Sequence, residues 1–398
     1  MQGSLTVVNA RVFDGWSADL VEGAVVVEDG TVTAVGPDVQ GPGEVLDARG
    51  SVVVPGLIDA HCHAYGVSLD LLGIETAHPS WLALKAARRL HAALRRGFTT
   101  VRDVAGGDLG LATAIEQGLL PAPRYLYTGP ALSQTGGHGD PRDPLHHSCC
   151  RGQHMVEVVD GVDDLRVAVR ERLRSGAHAI KVMASGGVLS LADPLRVPQY
   201  SEQELRAVVD EATRRGTYVA AHAYSPEAIA HAVGAGIRSI EHGNLLDADS
   251  AAAMAEAEAV LVPTLVTYWA MARHGESLGM PPVAREKNTE VLDAGQGAVE
   301  LAAAAGVPIG FGTDLMGDLE DQQLQGLRLQ HEVQGTLELL RSVTQRNADL
   351  LGDERLGRLR PGSVGDLVVL GGDPFEQPQV LWEPTGTRTV VQAGRVVR

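Results

Sequence analysis

Eight short apolar segments, separated by stretches with helical periodicity, constrain the fold of this 398-residue chain more than any other feature. Alternation of this kind is typical of a parallel sheet whose strands are joined by crossover helices. Eight units in succession favour a (β/α)8 TIM barrel, a fold of the α/β class, over an open sheet. The predicted strands are 53–60, 99–104, 125–128, 179–183, 218–222, 239–242, 260–264 and 308–314.

The stretches between these strands carry the sequence signals of helices. Val162, Leu165 and Val169 fall on one face of a predicted helix, as the helical period requires. Ser201 followed by Glu204 forms a capping box ahead of a second apolar face. The predicted barrel therefore has helices where its crossovers need them.

Short β-branched runs, separated by Gly and Asp turns, lie at both ends of the chain and are typical of antiparallel strands. We predict that residues 1–56 and 357–398 pair into one small β-sheet domain, which flanks a barrel formed by residues 57–356. The runs are 5–13, 24–27, 32–35, 366–370 and 389–397.

Composition excludes several classes of partner. The formal net charge of -17 argues against nucleic acid, which requires clustered Lys and Arg. No apolar run reaches membrane-spanning length, and the first residues lack a basic region followed by an apolar one. Three cysteines, Cys62 and the adjacent Cys149 and Cys150, form no disulfide framework and suit a reducing compartment. We expect a cytoplasmic protein without a nucleic-acid or membrane partner.

Six side chains that can bind a metal lie at or near the ends of predicted strands. In a barrel the carboxyl ends of all strands converge on one rim, so these side chains would face one another. Each alone has a structural explanation, such as a snorkelling lysine or a helix cap. Together they predict a metal site. The residues are His61, His63, Lys181, His222, His242 and Asp314.

On these residues the chain resembles the amidohydrolase superfamily, of the binuclear-metal type, over almost its whole length. The resemblance implies two divalent ions, commonly zinc. His61 and His63 would bind the more buried ion, His222 and His242 the other, and a carboxylated Lys181 would bridge them. The matching motifs, in chain order, are residues 55–63, Lys181, His222, residues 241–243 and residues 312–314.

The chemistry of that site follows from its charges. An ammonium cannot bind a cation, but the carbamate formed from a neutral Lys181 and carbon dioxide can span two ions. Ions of this kind make hydroxide available from bound water near neutral pH, and hydroxide attacks a carbonyl carbon. Asp314 would ligate or approach the more buried ion, hold the hydroxide, and carry its proton to the leaving nitrogen.

A Gly-rich loop at 132–141 further resembles the branch containing prolidase-like and metallo-carboxypeptidase-like enzymes, with imidazolonepropionase as a more distant relation. The resemblance implies that His138 contacts substrate and stabilises the developing oxyanion. Tyr224 would bind the substrate's carboxylate or carbonyl, although packing is an equal alternative. Weaker candidates in the same region are Arg142, His146 and His147, whereas Cys149 and Cys150 are interpreted as incidental and Cys62 as packing away from the metals.

A second long segment, 267–287, contains Tyr268, Trp269, Met271 and Met280. Such apolar residues are typical of a lid over the substrate, or of an interface in a homo-oligomer, and the sequence leaves both open.

These features predict a metal-dependent hydrolase that cleaves the amide bond of dipeptides or N-acyl amino acids and releases a C-terminal amino acid. The alternatives are a cyclic-amide or imidazolone hydrolase, a lactone hydrolase or a phosphotriester hydrolase with the same ions. A non-catalytic scaffold is a further alternative, but it predicts missing ligands, and none of the six is missing. Fold alone does not separate these chemistries.

Overall fold

The computed structural model describes residues 3–37, 39–140, 142, 154–190, 193–383 and 388–397. His146, His147, Cys149 and Cys150 lie outside the described residues.

The described chain alternates strands and helices through its middle, with strands alone near the N-terminus. The strands are β1 Leu5–Val12, β2 Val21–Glu28, β3 Thr31–Gly36, β4 Glu44–Asp47, β5 Val52–Pro55, β6 Leu57–Cys62, β7 Phe98–Asp103, β8 Arg124–Tyr127, β9 Ala131–Ser133, β10 Val156–Val158, β11 Ile180–Met183, β12 Val219–Ala223, β13 Ser239–His242, β14 Val260–Val262, β15 Leu367–Val369, β16 Thr389–Gln392 and β17 Arg395–Val396.

Helices occupy most of the connections between the parallel strands. The α-helices are α1 Leu71–Thr76, α2 Pro79–Arg95, α3 Leu109–Glu116, α4 Val162–Arg174, α5 Glu202–Arg214, α6 Pro226–Gly234, α7 Ala248–Glu256, α8 Leu265–His274, α9 Pro282–Ala304, α10 Gln323–Arg341 and α11 Asn347–Leu351. Short 3-10 helices cover Gly317–Gln322 and Pro378–Leu381, and a π-helical turn covers Ser342–Arg346.

One sheet of eight strands combines the two ends of the chain. Its order is β17-β16-β15-β5-β1-β2-β3, and β4 pairs with β1. The C-terminal strand β15 runs antiparallel to β5, which itself runs parallel to β1. Both ends therefore share one sheet, while the division into domains at residues 1–56 with 357–398 and at 57–356 stays a prediction.

The middle of the chain is α/β, with parallel sheets. One sheet has the order β6-β7-β8 and the other β10-β9-β11-β12-β13-β14. The largest hydrophobic cluster lies where the second sheet packs against its crossover helices, and it includes Ile180, Leu205, Ile229 and Ile240. This core holds the carboxyl ends of the strands in fixed positions.

The last predicted strand, 308–314, differs from the prediction. It forms a single bridge, between Ile309 and Leu261, rather than a regular strand. On its other side Ala60 donates a backbone hydrogen bond to Phe311, so the segment lies between β14 and β6. Gly312 explains the close approach, because a Cβ there would lie 2.5 Å from the Cβ of His61. The loop predicted to begin at Leu132 also differs, since its first residues form β9.

The predicted helix starts are confirmed. The Ser201 hydroxyl accepts from the Glu204 amide and the Glu204 carboxylate accepts from the Ser201 amide, so α5 begins with the predicted capping box. The helix α4 runs from Val162 to Arg174, with Leu165 and Val169 buried on its inner face. None of the described helices combines the length and apolarity needed to cross a membrane. The cytoplasmic location stays a prediction.

Asn347 joins the segment 308–314 to β6. Its side-chain amide is fully buried and donates to the carbonyls of Ile58 and Phe311, both at 2.8 Å. Its Oδ1 accepts from the Phe311 amide at 3.0 Å. All the polar atoms of this side chain thus bind the backbone of β6 or of the segment 308–314.

We predict that Asn347→Ala lowers the free energy of unfolding by about 2–4 kcal/mol, because it removes the side-chain partners of the buried Ile58 and Phe311 carbonyls and of the Phe311 amide. Urea denaturation of the purified variant measures this. Gln203→Ala, at an exposed position of α5, is the matched control and should change stability little. Equal stability of the two variants would show that Asn347 does not join these segments.

Candidate metal centre and active site

The carboxyl ends of the parallel strands surround one cavity of about 720 Å³, a volume that includes space open to solvent. The structure places the six predicted metal ligands and the two predicted substrate contacts on its lining. They are His61, His63, His138, Lys181, His222, Tyr224, His242 and Asp314.

Asp314 is the centre of one group of potential ligands. Its Oδ1 lies 2.9 Å from His63 Nε2 and 3.4 Å from His61 Nε2, and its Oδ2 lies 3.9 Å from His242 Nδ1. One donor atom each from His61, His242 and Asp314 lie within 4.8 Å of one another. Ligands at about 2.0–2.2 Å from a zinc ion are separated by similar distances. This group therefore has the spacing of a metal site.

The second group consists of stacked imidazoles. The ring centroids of His222 and His242 are 4.6 Å apart, and those of His138 and His222 are 4.2 Å apart. Burial, reinforced by neighbouring His138, holds the pKa of His222 well below its usual range. Burial does the same for His242. Both rings are therefore neutral, which is the form that binds a metal.

The hydrogen bonds of two histidines leave the opposite nitrogen available. His222 Nε2 donates to the Gly186 carbonyl at 3.0 Å, so its Nδ1 carries the lone pair. His61 Nδ1 lies 2.7 Å from Glu241 Oε2, and its Nε2 faces Asp314. A ligand histidine commonly binds a carbonyl or carboxylate in this way through the nitrogen that does not touch the metal. Divalent cations therefore fit this donor set.

Lys181 lies in β11 and is 2% exposed. Burial lowers its pKa to about 8, against the opposing effects of Glu241 and Asp314. The neutral amine, which reacts with carbon dioxide, is correspondingly more accessible at neutral pH. The side chain lines the same cavity as the two groups of histidines.

Three non-glycine residues at strand ends have left-handed backbone conformations. The φ angles are 75° at His242, 45° at Thr264 and 53° at Asp314. Such conformations cost about 1–3 kcal/mol each and persist where the surrounding structure enforces them. His242 and Asp314 line the cavity, and Thr264 contacts it through His242, since Thr264 Oγ1 lies 2.8 Å from His242 Nδ1.

Sequence reasoning gave no role to two charged residues behind the site, although Glu241 lies within the matching motif 241–243. Glu241 bridges His61 and Arg102, whose Nη2 lies 2.7 Å from Glu241 Oε1, and all three are buried. Burial opposes ionisation of Glu241, but Arg102 and His61 outweigh it and hold its pKa well below the usual range. An arginine within the apolar strand β7 was the available signal, since a buried charge requires a partner.

The segment 267–287 contributes to the cavity wall. Tyr268 and Met271 line the cavity, and the Tyr268 hydroxyl lies 2.8 Å from both Tyr224 OH and His242 Nδ1. Trp269 instead packs under Arg273, whose guanidinium carbon is 3.9 Å from the ring centroid. Met280 is buried. The role of the segment in a homo-oligomer stays a prediction.

Among the described residues, Arg142 and Cys62 do not line the cavity that holds the potential ligands. Arg142 forms an ion pair with Asp140 at 2.5 Å and its side chain is 47% exposed. Cys62 packs against the cluster that contains Ala64 and Val101, as expected. Burial, and then the charge of Asp103, raise the pKa of its thiol well above the usual value.

A model of the amidohydrolase family matches residues 52–397. This chain belongs to the amidohydrolase family. An ochratoxinase from Aspergillus niger is 31% identical over 423 aligned residues, which cover 100% of this chain and 87% of the relative. A crystal structure of a prolidase complexed with N-methylphosphonate-L-proline superposes with a TM-score of 0.96 at 43% identity and covers 99% of both chains. A Xaa-Pro dipeptidase with bound methionine is 28% identical, with a TM-score of 0.88 over 99% of this chain and 100% of the other.

Membership of the amidohydrolase family confirms the resemblance seen in the sequence. It makes the protein an enzyme, a hydrolase acting on carbon–nitrogen bonds. The cluster of His61, His242 and Asp314 is the site that its described residues offer to a divalent metal.

We predict that Glu241→Gln weakens metal binding by this amidohydrolase about 10- to 100-fold, the usual cost of removing a partner that orients a ligand. The amide keeps the volume of Glu241 but loses the charge that pairs with Arg102 and orients His61. Metal titration of apoprotein with a chromophoric chelator measures the affinity. Glu256→Gln, at an exposed position in α7, is the control. Wild-type affinity in Glu241→Gln would remove Glu241 from this role.

Proposed function

We propose that this amidohydrolase cleaves the amide bond of dipeptides or N-acyl amino acids and releases the C-terminal amino acid, with two divalent ions, commonly zinc, as cofactors. One observation carries the proposal: six potential ligands share a single cavity with His138 and Tyr224. The prolidase with a proline-containing phosphonate and the Xaa-Pro dipeptidase support the choice of dipeptides.

We propose further that the parallel strands close into a (β/α)8 barrel. Backbone hydrogen bonds join Leu261 to Pro308 and Ala60 to Phe311, so the segment 308–314 has partners on both sides. Two contacts join the two parallel sheets and the strands next to their junction. Val182 of β11 pairs with Leu132 of β9, and the His178 amide, just before β11, donates to the carbonyl of Tyr127 in β8. These contacts support a closed arrangement of eight strand positions.

In this proposal His61, His63 and Asp314 would hold the more buried ion, and His222 and His242 would hold the other. A carboxylated Lys181 would bridge the two, since its side chain lines the same cavity and burial lowers the pKa of its amine. Divalent ions held at these residues would lower the pKa of a coordinated water and polarise the carbonyl of the substrate.

Asp314 is the proposed proton carrier. Burial opposes its ionisation, but His61, His63 and His242 outweigh it and hold its pKa well below the usual range. An ionised carboxylate accepts a proton from the attacking water and returns it to the amide nitrogen, which leaves poorly without that proton. Asp314 has a left-handed backbone, and its backbone amide donates a hydrogen bond to the His61 carbonyl. Both features hold the side chain in place for this transfer.

His138 and Tyr224 are the proposed substrate contacts. Burial lowers the pKa of His138, so its ring is neutral and can donate one hydrogen bond to a developing oxyanion. Its Nδ1 is buried without a hydrogen-bond partner among the described residues. The Tyr224 hydroxyl lines the cavity and binds Tyr268, from where it would contact the substrate's carboxylate or carbonyl.

The remaining wall of the cavity is largely apolar. We propose that it accommodates an apolar part of the substrate, because apolar surface there gains from leaving water. Its residues include Leu71, Met155, Val188, Met271 and Met316.

Turnover of a substrate panel tests the proposal. Metal-replete protein is assayed with dipeptides and N-acyl amino acids of varied C-terminal residue, beside cyclic amides, imidazolones, lactones and phosphotriesters. We expect the amides to be preferred and Asp314→Asn to abolish their turnover while keeping the fold. Preference for another class would identify that hydrolase instead, and no turnover of any class would favour a non-catalytic scaffold.

We predict that Lys181→Ala loses bound metal and most activity, because the bridging carboxylate is removed. Short carboxylic acids such as propionate should restore part of the activity by occupying the same position. Elemental analysis and initial rates, with and without the acid, measure this. Unchanged metal content in Lys181→Ala would contradict a bridging role.

We predict that Gly187→Ala lowers kcat by about 100- to 1,000-fold, the typical cost of losing an oxyanion donor, with metal content unchanged. A Cβ at Gly187 would lie 2.0 Å from His138 Cε1 and would displace the ring. Gly297→Ala in α9, where a Cβ meets nothing within 4 Å, is the matched control. Normal kcat in Gly187→Ala would exclude His138 from the reaction.

A further inference from the structure

Lysine is rare in this chain. One lysine lines the cavity and another binds a loop beside it. Only three of the 33 basic residues are lysine, Lys85, Lys181 and Lys287; the rest are arginine. Lys85 is partly exposed on α2, with its ammonium 5.6 Å from the Trp81 ring centroid. Lys181 lines the cavity. Lys287 is therefore one of the few basic positions of this chain that carry lysine rather than arginine.

Lys287 lies in α9 and its ammonium is surrounded by carbonyl oxygens. Its Nζ donates to the carbonyls of Gly187 at 3.1 Å, Ser190 at 2.7 Å and Asp193 at 2.6 Å. Asp193 Oδ1 adds a carboxylate oxygen at 3.8 Å. An ammonium has three donors around one nitrogen, and here each donor has a carbonyl. The side chain is 16% exposed, so these bonds are largely shielded from water.

The carbonyls bound by Lys287 belong to the loop that follows β11, and this loop supports two histidines of the site. The Gly186 carbonyl accepts from His222 Nε2 at 3.0 Å. Gly187 lies against the His138 ring so closely that no side chain fits between them. Asp193 Oδ2 lies 3.8 Å from His138 Nδ1 and accepts from the Gly187 amide at 3.2 Å. A shift of this loop would therefore move both rings.

Gln199 connects the same loop to the backbone of His138. Its Oε1 accepts from the His138 amide at 3.0 Å, and its Nε2 donates to Asp193 Oδ2 at 3.2 Å. The neighbour of Lys287 in α9, Asn288, donates to the carbonyl of Tyr268 at 3.0 Å. The helix α9 thus binds both the loop under His138 and the residue that touches Tyr224 and His242.

We propose that Lys287 is a positioning residue, whose ammonium clamps the loop after β11 so that Gly186 and Gly187 hold His222 and His138 in their reactive positions. The inference rests on the proposed function, in which His138 contacts the substrate. Lys287 itself lies behind the loop and acts through it.

Arginine cannot replace lysine in this clamp. A guanidinium presents its donors in one plane and in a fixed fork, whereas the three carbonyls converge on a single nitrogen. This geometry accounts for lysine at position 287 in a chain that otherwise uses arginine. If position 287 only had to pair with the charge of Asp193, by contrast, either lysine or arginine would serve.

The test compares Lys287→Met and Lys287→Arg with the control Lys85→Met. Kinetics on the best substrate of the panel give kcat and KM, elemental analysis gives metal content, and hydrogen exchange of metal-free protein reports on the peptides covering residues 185–190. We expect Lys287→Met to lower kcat about 10- to 100-fold, since a displacement near 1 Å has that cost. Metal content should be unchanged and exchange in the loop faster. Lys287→Arg should keep most of the defect, and Lys85→Met should behave as wild type.

Three results would overturn the proposal: kcat within twofold of wild type in Lys287→Met, unchanged exchange in the loop, or full activity in Lys287→Arg, which would assign Lys287 to charge alone. The exchange measurement needs no substrate. If exchange is faster in Lys287→Met but the wild-type protein is inactive on every substrate, the role of Lys287 as a clamp is supported and the proposed function is rejected.

Discussion

The ion pair between Arg102 and Glu241, buried under the carboxyl ends of the strands, is the interaction on which the site depends. Neither charge is stable there alone, because an unpaired charge in the interior costs several kcal/mol. Glu241 uses its second oxygen to bind His61 Nδ1, so the pair also directs the other nitrogen of His61 toward Asp314. A contact required for stability thereby sets the geometry of the metal ligands.

Supports of a second kind reach the site from outside the strands. Asn347 binds the segment that carries Asp314, and Lys287 binds the loop under His138. Both side chains satisfy backbone carbonyls that regular sheet would otherwise pair. Irregular backbone at the strand ends is thus stabilised by polar side chains from helices α9 and α11. The irregularity is useful, because it turns side chains of the strand ends into the cavity.

Much of the architecture was predictable because it depends on local patterns. The periods of apolar residues located the strands and helices within a few positions, and the capping box of Ser201 was correct in detail. The segment 308–314 was predicted as a regular strand and is not one. Its hydrogen bonds go to Asn347, which lies more than thirty residues away in the sequence, and no local pattern reports such a partner.

The sequence by itself determined which residues could bind a metal. It also determined that they would gather at one end of the strands, since crossover connections make all strands of a parallel sheet run in the same direction. Tertiary structure alone decided how those residues are held. Sequence patterns indicated no role for Arg102 or Lys287 and only a general one for Tyr268, and all three acquire their contacts from neighbours in space. The physical reason is that hydrogen bonds and buried charges depend on distances of a few ångströms, which only the folded chain defines.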